Sequence, residues 1–170
     1  MAITLVLGGA RSGKSAYAQR EAEGAAASGG RLVMIATAQA MDAEMAERIA
    51  RHQEERGAGW RTVEAPVDLA AAIAALKPDE IAVVDCLTLW LSNVFMRGMT
   101  VADEFGDLLS AVQTCPARLW LVSNETGLGI VPDNALARRF RDDSGRLHQK
   151  LAAVADQAVF VVAGLPLKLK

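Results

Sequence analysis

Apolar positions along this chain fall into two alternating rhythms. Short, nearly continuous apolar runs occur at Ala2–Leu7, Leu32–Ala36, Ile81–Asp85, Arg118–Val122 and Ala158–Val162. Runs of this length, bounded by turn residues, predict strands buried on both faces, as in a parallel sheet. Trp60–Glu64 is a shorter strand-like stretch. Between the runs lie longer segments with helical spacing. Lys14–Ala27 is closed by Ser28-Gly29-Gly30, and a second helix capped by Asp42 runs to about Arg56 before Gly57-Ala58-Gly59. Pro66-Val67-Asp68 opens an Ala-rich helix, and Lys77-Pro78-Asp79-Glu80 is a turn. Leu87–Phe95 and Val101–Val112 are helices split around Arg97-Gly98. Asp133 or Asn134 caps a long helix to about Ala155, and the tail from Gly164 to Lys170 is expected to trail off the last strand. Strands alternating with helices predict an α/β fold with a mostly parallel sheet flanked by helices. No repeat, low-complexity tract or linker divides the chain, so residues 1–170 read as a single domain.

The first strand runs directly into Gly8-Gly9-Ala10-Arg11-Ser12-Gly13-Lys14-Ser15, with the spacing G-x-x-x-x-G-K-S, and a helix follows. A strand before this spacing and a helix after it make a phosphate-binding loop. The glycines let backbone N–H groups turn inward onto phosphate oxygens, Lys14 neutralises the β- and γ-phosphates, and the Ser15 hydroxyl takes a Mg²⁺ position. The helix adds its positive dipole end to the same anion site. Asp85, at the end of an apolar strand, is the natural partner, able to hold Mg²⁺ through water. The expectation is therefore a P-loop NTPase fold binding a Mg-nucleoside triphosphate.

Composition narrows the picture further. The formal net charge of −2 leaves no basic footprint for nucleic acid. No apolar run is long enough to span a bilayer. The N-terminus lacks a basic leader region and reads as a strand rather than a signal peptide. Cys86 and Cys115 lie far apart with no metal-like spacing, which fits a reduced, cytoplasmic setting with Cys86 as a small buried side chain.

His52 lies four residues after Arg48 and four before Arg56, so one helical face carries all three. The flanking cations favour neutral imidazole, the form able to attack phosphorus. The residues fit two readings, a phosphorus nucleophile and a surface histidine on a solvated basic helix, and by themselves they lean to the second. His148, beside Arg146 and Lys150, reads still more strongly as a surface residue. Glu64 ends its short strand where a carboxylate can meet a base edge or ribose. Thr37 and Ser123-Asn124-Glu125 follow strands, and ligands of open parallel sheets sit at strand carboxyl ends. The loop Thr126–Pro132 could close over a second substrate. Arg138, Arg139 and Arg141 fit either phosphate contacts or ordinary surface pairs.

Taken together, these segments resemble the bifunctional adenosylcobinamide kinase/adenosylcobinamide-phosphate guanylyltransferases of cobalamin synthesis. The resemblance rests on Gly8–Ser15, Ile35-Ala36-Thr37-Ala38, Glu44-Met45 with Arg48, His52, Arg56, Trp60-Arg61-Thr62 and Glu64, and Asp85-Cys86-Leu87-Thr88-Leu89-Trp90-Leu91-Ser92-Asn93. It extends to Ser123-Asn124-Glu125, Gly127–Pro132, Phe140-Arg141-Asp142 and the tail from Gly164, nearly end to end. The chain departs from the family at Thr126, where Val is expected, at His148, where Asn is usual, and at Asp85, where some members carry Glu.

The resemblance implies a RecA-like fold and two reactions. A nucleoside triphosphate, ATP or GTP, phosphorylates the aminopropanol hydroxyl of adenosylcobinamide; GMP then passes from GTP to that phosphate, with pyrophosphate released. It assigns the GMP-bearing nucleophile to His52 and so reverses the reading from the residues alone. It also implies that Gly8–Ser15, Ala36, Thr37, Ala38, Gln53, Glu54, Glu55, Glu64 and Asp85 line the nucleotide. Lys14 would share the catalysis, Ser15 and Asp85 would hold Mg²⁺, and the chain would work as a homo-oligomer such as a trimer.

Two other readings fit parts of the chain. A plain P-loop small-molecule kinase needs no histidine. A GTP-binding switch usually carries an N-K-x-D element, which is absent, and the D-x-x-G spacings at Asp103–Gly106 and Asp142–Gly145 fall in helical segments.

Overall fold

Seven strands, β1 (Ile3–Gly8), β2 (Arg31–Ala36), β3 (Trp60–Glu64), β4 (Glu80–Asp85), β5 (Arg118–Asn124), β6 (Gln157–Val162) and β7 (Leu165–Lys168), form one sheet in the computed structural model. Their order is β3-β2-β4-β5-β1-β6-β7, parallel except for β7. Among the described residues the helices run α1 (Lys14–Ala26), α2 (Leu69–Ala74), α3 (Leu87–Met96), α4 (Val101–Thr114) and α5 (Ala135–Val154). The structure describes residues 2–39, 47 and 59–170; the helix expected from Asp42 to Arg56 lies, apart from Glu47, outside the described residues.

Alternation along each strand assigns side chains to the two faces. Leu5, Val33, Ile35, Val84, Leu119 and Leu121 join the larger core with Trp90, Leu91, Leu108 and Leu147 from α3, α4 and α5. Val6, Met34, Val83, Val122 and Val161 point the other way, onto Ala18 and Ala22 of α1. Small alanines let α1 approach that face closely, which sets the start of the helix directly behind the loop that precedes it. The central strands β1, β4 and β5 are therefore covered on both sides, and their ends open to ligands.

The tail departs from its expected course. Val162 pairs with Leu165, so Ala163 and Gly164 form a two-residue hairpin turn, with φ of 51° and 78°. Positive φ at both central residues matches the right-handed strand twist. The chain then returns as the antiparallel edge strand β7, where Pro166 is tolerated. The cue was present as Leu165, Leu167 and Leu169 at period two, with Pro166 arguing against it.

At the amino end of the sheet, remote from the loop after β1, Glu80 is buried. It accepts hydrogen bonds from the Lys77 N–H at 2.9 Å and from Arg61 at 2.8 Å, with Arg31 at 3.8 Å. Burial pushes its carboxyl upward, but the Lys77 N–H and the two guanidiniums outweigh that and hold it below its ordinary 4.5. The unfolded chain therefore takes up this proton first as pH falls. The contribution is full above the ordinary value and disappears through the lowered one. Glu80→Gln should cost about 1–2 kcal/mol at neutral pH, because both arginines are half exposed. In denaturant unfolding the gap from wild type should close as the pH drops below 4.5.

Candidate active site

Gly8 ends β1 where side-chain volume is forbidden: a Cβ there would sit 2.5 Å from Ser12 Oγ and 2.6 Å from the Val161 carbonyl oxygen. The chain then curls back, with the Ser12 N–H bonded to the Gly9 carbonyl at 3.3 Å. Arg11 at φ 53° and Gly13 at φ 91° supply left-handed turns, and α1 starts at Lys14. Left-handed residues between right-handed ones make a concave row of N–H groups that binds anions. Lys14, only 8% exposed, reaches back with Nζ to the Gly9 carbonyl at 3.0 Å. Ser15, half-buried, is the second residue of α1. The hairpin turn between β6 and β7 braces the loop from below: the Gly164 N–H donates to the Ser12 carbonyl at 2.8 Å. Ser12 Oγ is buried without a hydrogen-bond partner among the described residues.

Sheet register decides which other predicted residues share this edge. Glu64 is level with Ala36, Ala36 with Asp85, and Asp85 with Val122, while Asn124 is level with Gly8. β5 stands between β1 and β4, so Asp85 lies about two ladder spacings, roughly 10 Å, from the end of β1. Glu64, exposed at the end of β3, is two spacings beyond Asp85. These residues form a line along the carboxyl edge of the sheet, long enough for an extended nucleotide. Gln53, Glu54, Glu55 and His52 lie outside the described residues.

The floor between Asp85 and Ala36 is tied by polar groups. Thr37, fully buried, donates its hydroxyl to the Cys86 carbonyl at 2.7 Å and accepts the Cys86 N–H at 2.8 Å. That hydroxyl is therefore occupied, and the Thr37 N–H is taken as well, donating to the Asp85 carbonyl at 3.3 Å. Asn93 of α3 donates to the Thr37 carbonyl at 2.9 Å and the Pro66 carbonyl at 2.8 Å, which fastens the ends of β2 and β3 together. Cys86 is the buried small side chain expected. Desolvation, with Asp85 next in weight, pushes its thiol up to about 11, while Lys14 pulls the other way. A thiol held that high is no nucleophile.

His148 corrects the surface reading. It is 7% exposed, and its Nε2 hydrogen-bonds Ser123 Oγ at 2.7 Å. Ser123 Oγ lies 3.2 Å from Thr88 Oγ1, which accepts the Asn124 N–H at 2.8 Å. The chain of bonds ties α5, β5 and α3 together beside the P-loop strand. Nothing local marks His148 as buried, because Arg146 and Lys150 two positions away point to solvent; only its i−1 and i+3 neighbours, Leu147 and Leu151, signal the core face. The roles of Thr88, Asn93 and Gly164 are not legible in the sequence for a similar reason, since their partners are distant along the chain. Arg138, Arg139 and Arg141 do not converge on the loop. Arg138 bonds the Pro132 and Asp133 carbonyls, Arg139 stacks on Phe95 at 5.3 Å, and Arg141 lies 3.8 Å from Asp142.

A phosphate loop between strand and helix, with a carboxylate two strands away at the same edge, defines a P-loop nucleotide-binding protein of the α/β class. The fold agrees: the flagellar accessory protein FlaH of Methanocaldococcus jannaschii superposes with a TM-score of 0.56 over 99% of this chain and 78% of its own, at 10% identity. Residues 4–169 match the family model described as cobinamide kinase / cobinamide phosphate guanyltransferase, and the chain belongs to that family. It is 48% identical to the bifunctional adenosylcobalamin biosynthesis protein CobP of Pseudomonas aeruginosa, over 98% of this chain and 96% of the relative. It is 43% identical to the protein of that description called CobU in Salmonella typhimurium, over 98% of each. Among the described residues no helix is long and apolar enough to cross a membrane.

Two expectations follow. Gly8→Ala drives a methyl group into the Val161 backbone, so nucleotide affinity should fall at least about tenfold, roughly 1.4 kcal/mol, in titration with a fluorescent GTP analogue. Burial lowers His148 below its ordinary 6.5, with the Glu125 carboxylate opposing. The unfolded chain then binds this proton first, so its contribution is intact above 6.5 and is lost as pH falls toward the lowered value. His148→Asn should flatten the fall of Tm between neutral pH and about pH 5, read by scanning calorimetry at stepped pH.

Proposed function

We propose that this chain performs both reactions for which its family is named, on one nucleotide site. The observation that carries the proposal is the buried Lys14 in a preformed anion loop, sharing the sheet edge with Asp85, in a chain matched from residue 4 to 169. In the first reaction the acceptor hydroxyl of adenosylcobinamide attacks the γ-phosphorus of ATP or GTP. The bond to the bridging oxygen breaks and the nucleoside diphosphate leaves. Loop N–H groups and Lys14 hold the phosphate charge as it shifts toward the leaving oxygen.

In the second reaction His52 attacks the α-phosphorus of GTP, and the loop keeps the β- and γ-phosphates as they depart as pyrophosphate. Adenosylcobinamide phosphate then displaces the imidazole and takes the GMP moiety. Two displacements replace one difficult exchange. Arg48 and Arg56, four residues to either side of His52 in the sequence, are assigned to offset the charge. Glu64 and the segment Gln53–Glu55 are assigned to the nucleoside end, with Ala36–Ala38.

Ser15 and Asp85 would supply the hard oxygen donors that Mg²⁺ takes; Ser15 lies in the first turn of α1 directly after the loop, and Asp85 ends β4 at the same edge of the sheet. When bound, Mg²⁺ would neutralise phosphate charge. We read residues 1–170 as one catalytic unit, working as a cytoplasmic homo-oligomer without a nucleic-acid partner, in keeping with a net charge of −2.

Incubation with α-labelled GTP tests the histidine step. Wild type should carry acid-labile, alkali-stable label. His52→Ala should take up none, yet keep cobinamide-dependent release of nucleoside diphosphate. An unlabelled wild type with an active kinase step would leave only the plain kinase reading.

A further inference from the structure

A cavity of about 610 Å³ opens between α3 and the start of α5, lined among others by Ser92, Phe95, Thr126, Leu136, Phe140 and Arg141. Phe95 and Phe140 meet edge to face at 5.6 Å and form an aromatic wall. Two lining residues, Thr126 and Pro132, bracket a loop that leaves Leu128 and Ile130 82% and 98% exposed. An apolar hollow with a few polar groups is the usual form of a small-molecule site.

Its position relates it to the phosphate loop. Ser92 is one helical turn, about 6 Å of rise, beyond Thr88. Thr88 holds the Asn124 N–H, and Asn124 is level with Gly8. Thr126 follows two residues later, after Glu125 has bonded its N–H to the Gly8 carbonyl at 3.0 Å. One rim of the cavity is thus anchored to the end of the P-loop strand.

We propose that this cavity seats the corrin body of cobinamide, with the aminopropanol arm directed toward the phosphates between Gly8 and Asp85. The inference rests on the kinase reading above. A broad ring with an apolar face and amide edges matches aromatic walls interrupted by Ser92, Thr126 and Arg141. A second copy of the chain is the less suitable occupant here. A separate exposed apolar face, Leu165 and Leu167 on edge strand β7 with Leu169 just beyond it, is open on one side and better suited to a protein partner.

Leu136→Glu and Ala137→Trp test the site. Leu136 is two-thirds exposed, and an acid in the first turn of α5 suits the helix dipole, so the fold should tolerate the charge. The tryptophan fills the hollow. With cobinamide titrated calorimetrically into the full-length protein, both variants should bind at least about tenfold more weakly, roughly 1.4 kcal/mol. The KM for cobinamide should rise in step, whereas the KM for GTP and labelling by α-labelled GTP should stay near wild type. Unchanged cobinamide affinity in both variants would overturn the site while leaving the kinase reading standing. A loss that appears only where light scattering shows a smaller oligomer would also overturn it, in favour of a second copy. Failure of wild type to bind or phosphorylate cobinamide would remove the kinase reading and the site with it.

Discussion

The missing side chain at Gly8 lets the Val161 carbonyl and the Ser12 hydroxyl share the space above the end of β1, and the site grows outward from that contact. The loop can fold back only because β6 runs so close beside β1. β6 pairs directly with β1 in parallel, and its hairpin to β7 carries the Gly164 N–H to the Ser12 carbonyl. An anion site made of backbone N–H groups needs this rigidity, because its catalytic value lies in donors that need not reorganise as charge moves.

The remaining edge is held by buried polar ties rather than by apolar packing. Thr37 with Cys86, Asn93 with Thr37 and Pro66, and His148 with Ser123 and Thr88 each join elements far apart in the chain. Satisfied polar groups in a low-dielectric interior set geometry more narrowly than apolar contacts do, because an unmade bond there is costly. They fix where β2, β4 and β5 end, and so where Asp85 and Asn124 stand relative to the loop. Beyond that edge the packing is looser in kind: α3 and α5 meet through aromatic rings and leave a hollow between them.

Much of the fold was legible because its signals are local. Apolar runs gave the buried strands to within a residue or so, and Asn134 does cap α5, accepting the Ala137 N–H at 2.7 Å. The phosphate loop was legible because its glycines and its lysine fall within one run of eight residues. β7 was not, since Pro166 argues against a strand until the edge position makes its missing N–H harmless. His148 was misread because charged neighbours two positions away dominate a linear reading, whereas the buried face of a helix is set three and four positions away.

Residue order alone thus determined the alternation of strands and helices, the phosphate loop, and the family. All of these depend on neighbours along the chain or on spacing within one element. Tertiary structure decided that β5 stands between the loop strand and the Asp85 strand, that a terminal hairpin braces the loop, and that His148 is interior. It also decided that an aromatic hollow adjoins the site. Those outcomes are set by packing between residues as far apart as Ser12 and Gly164, whose contact no local pattern encodes.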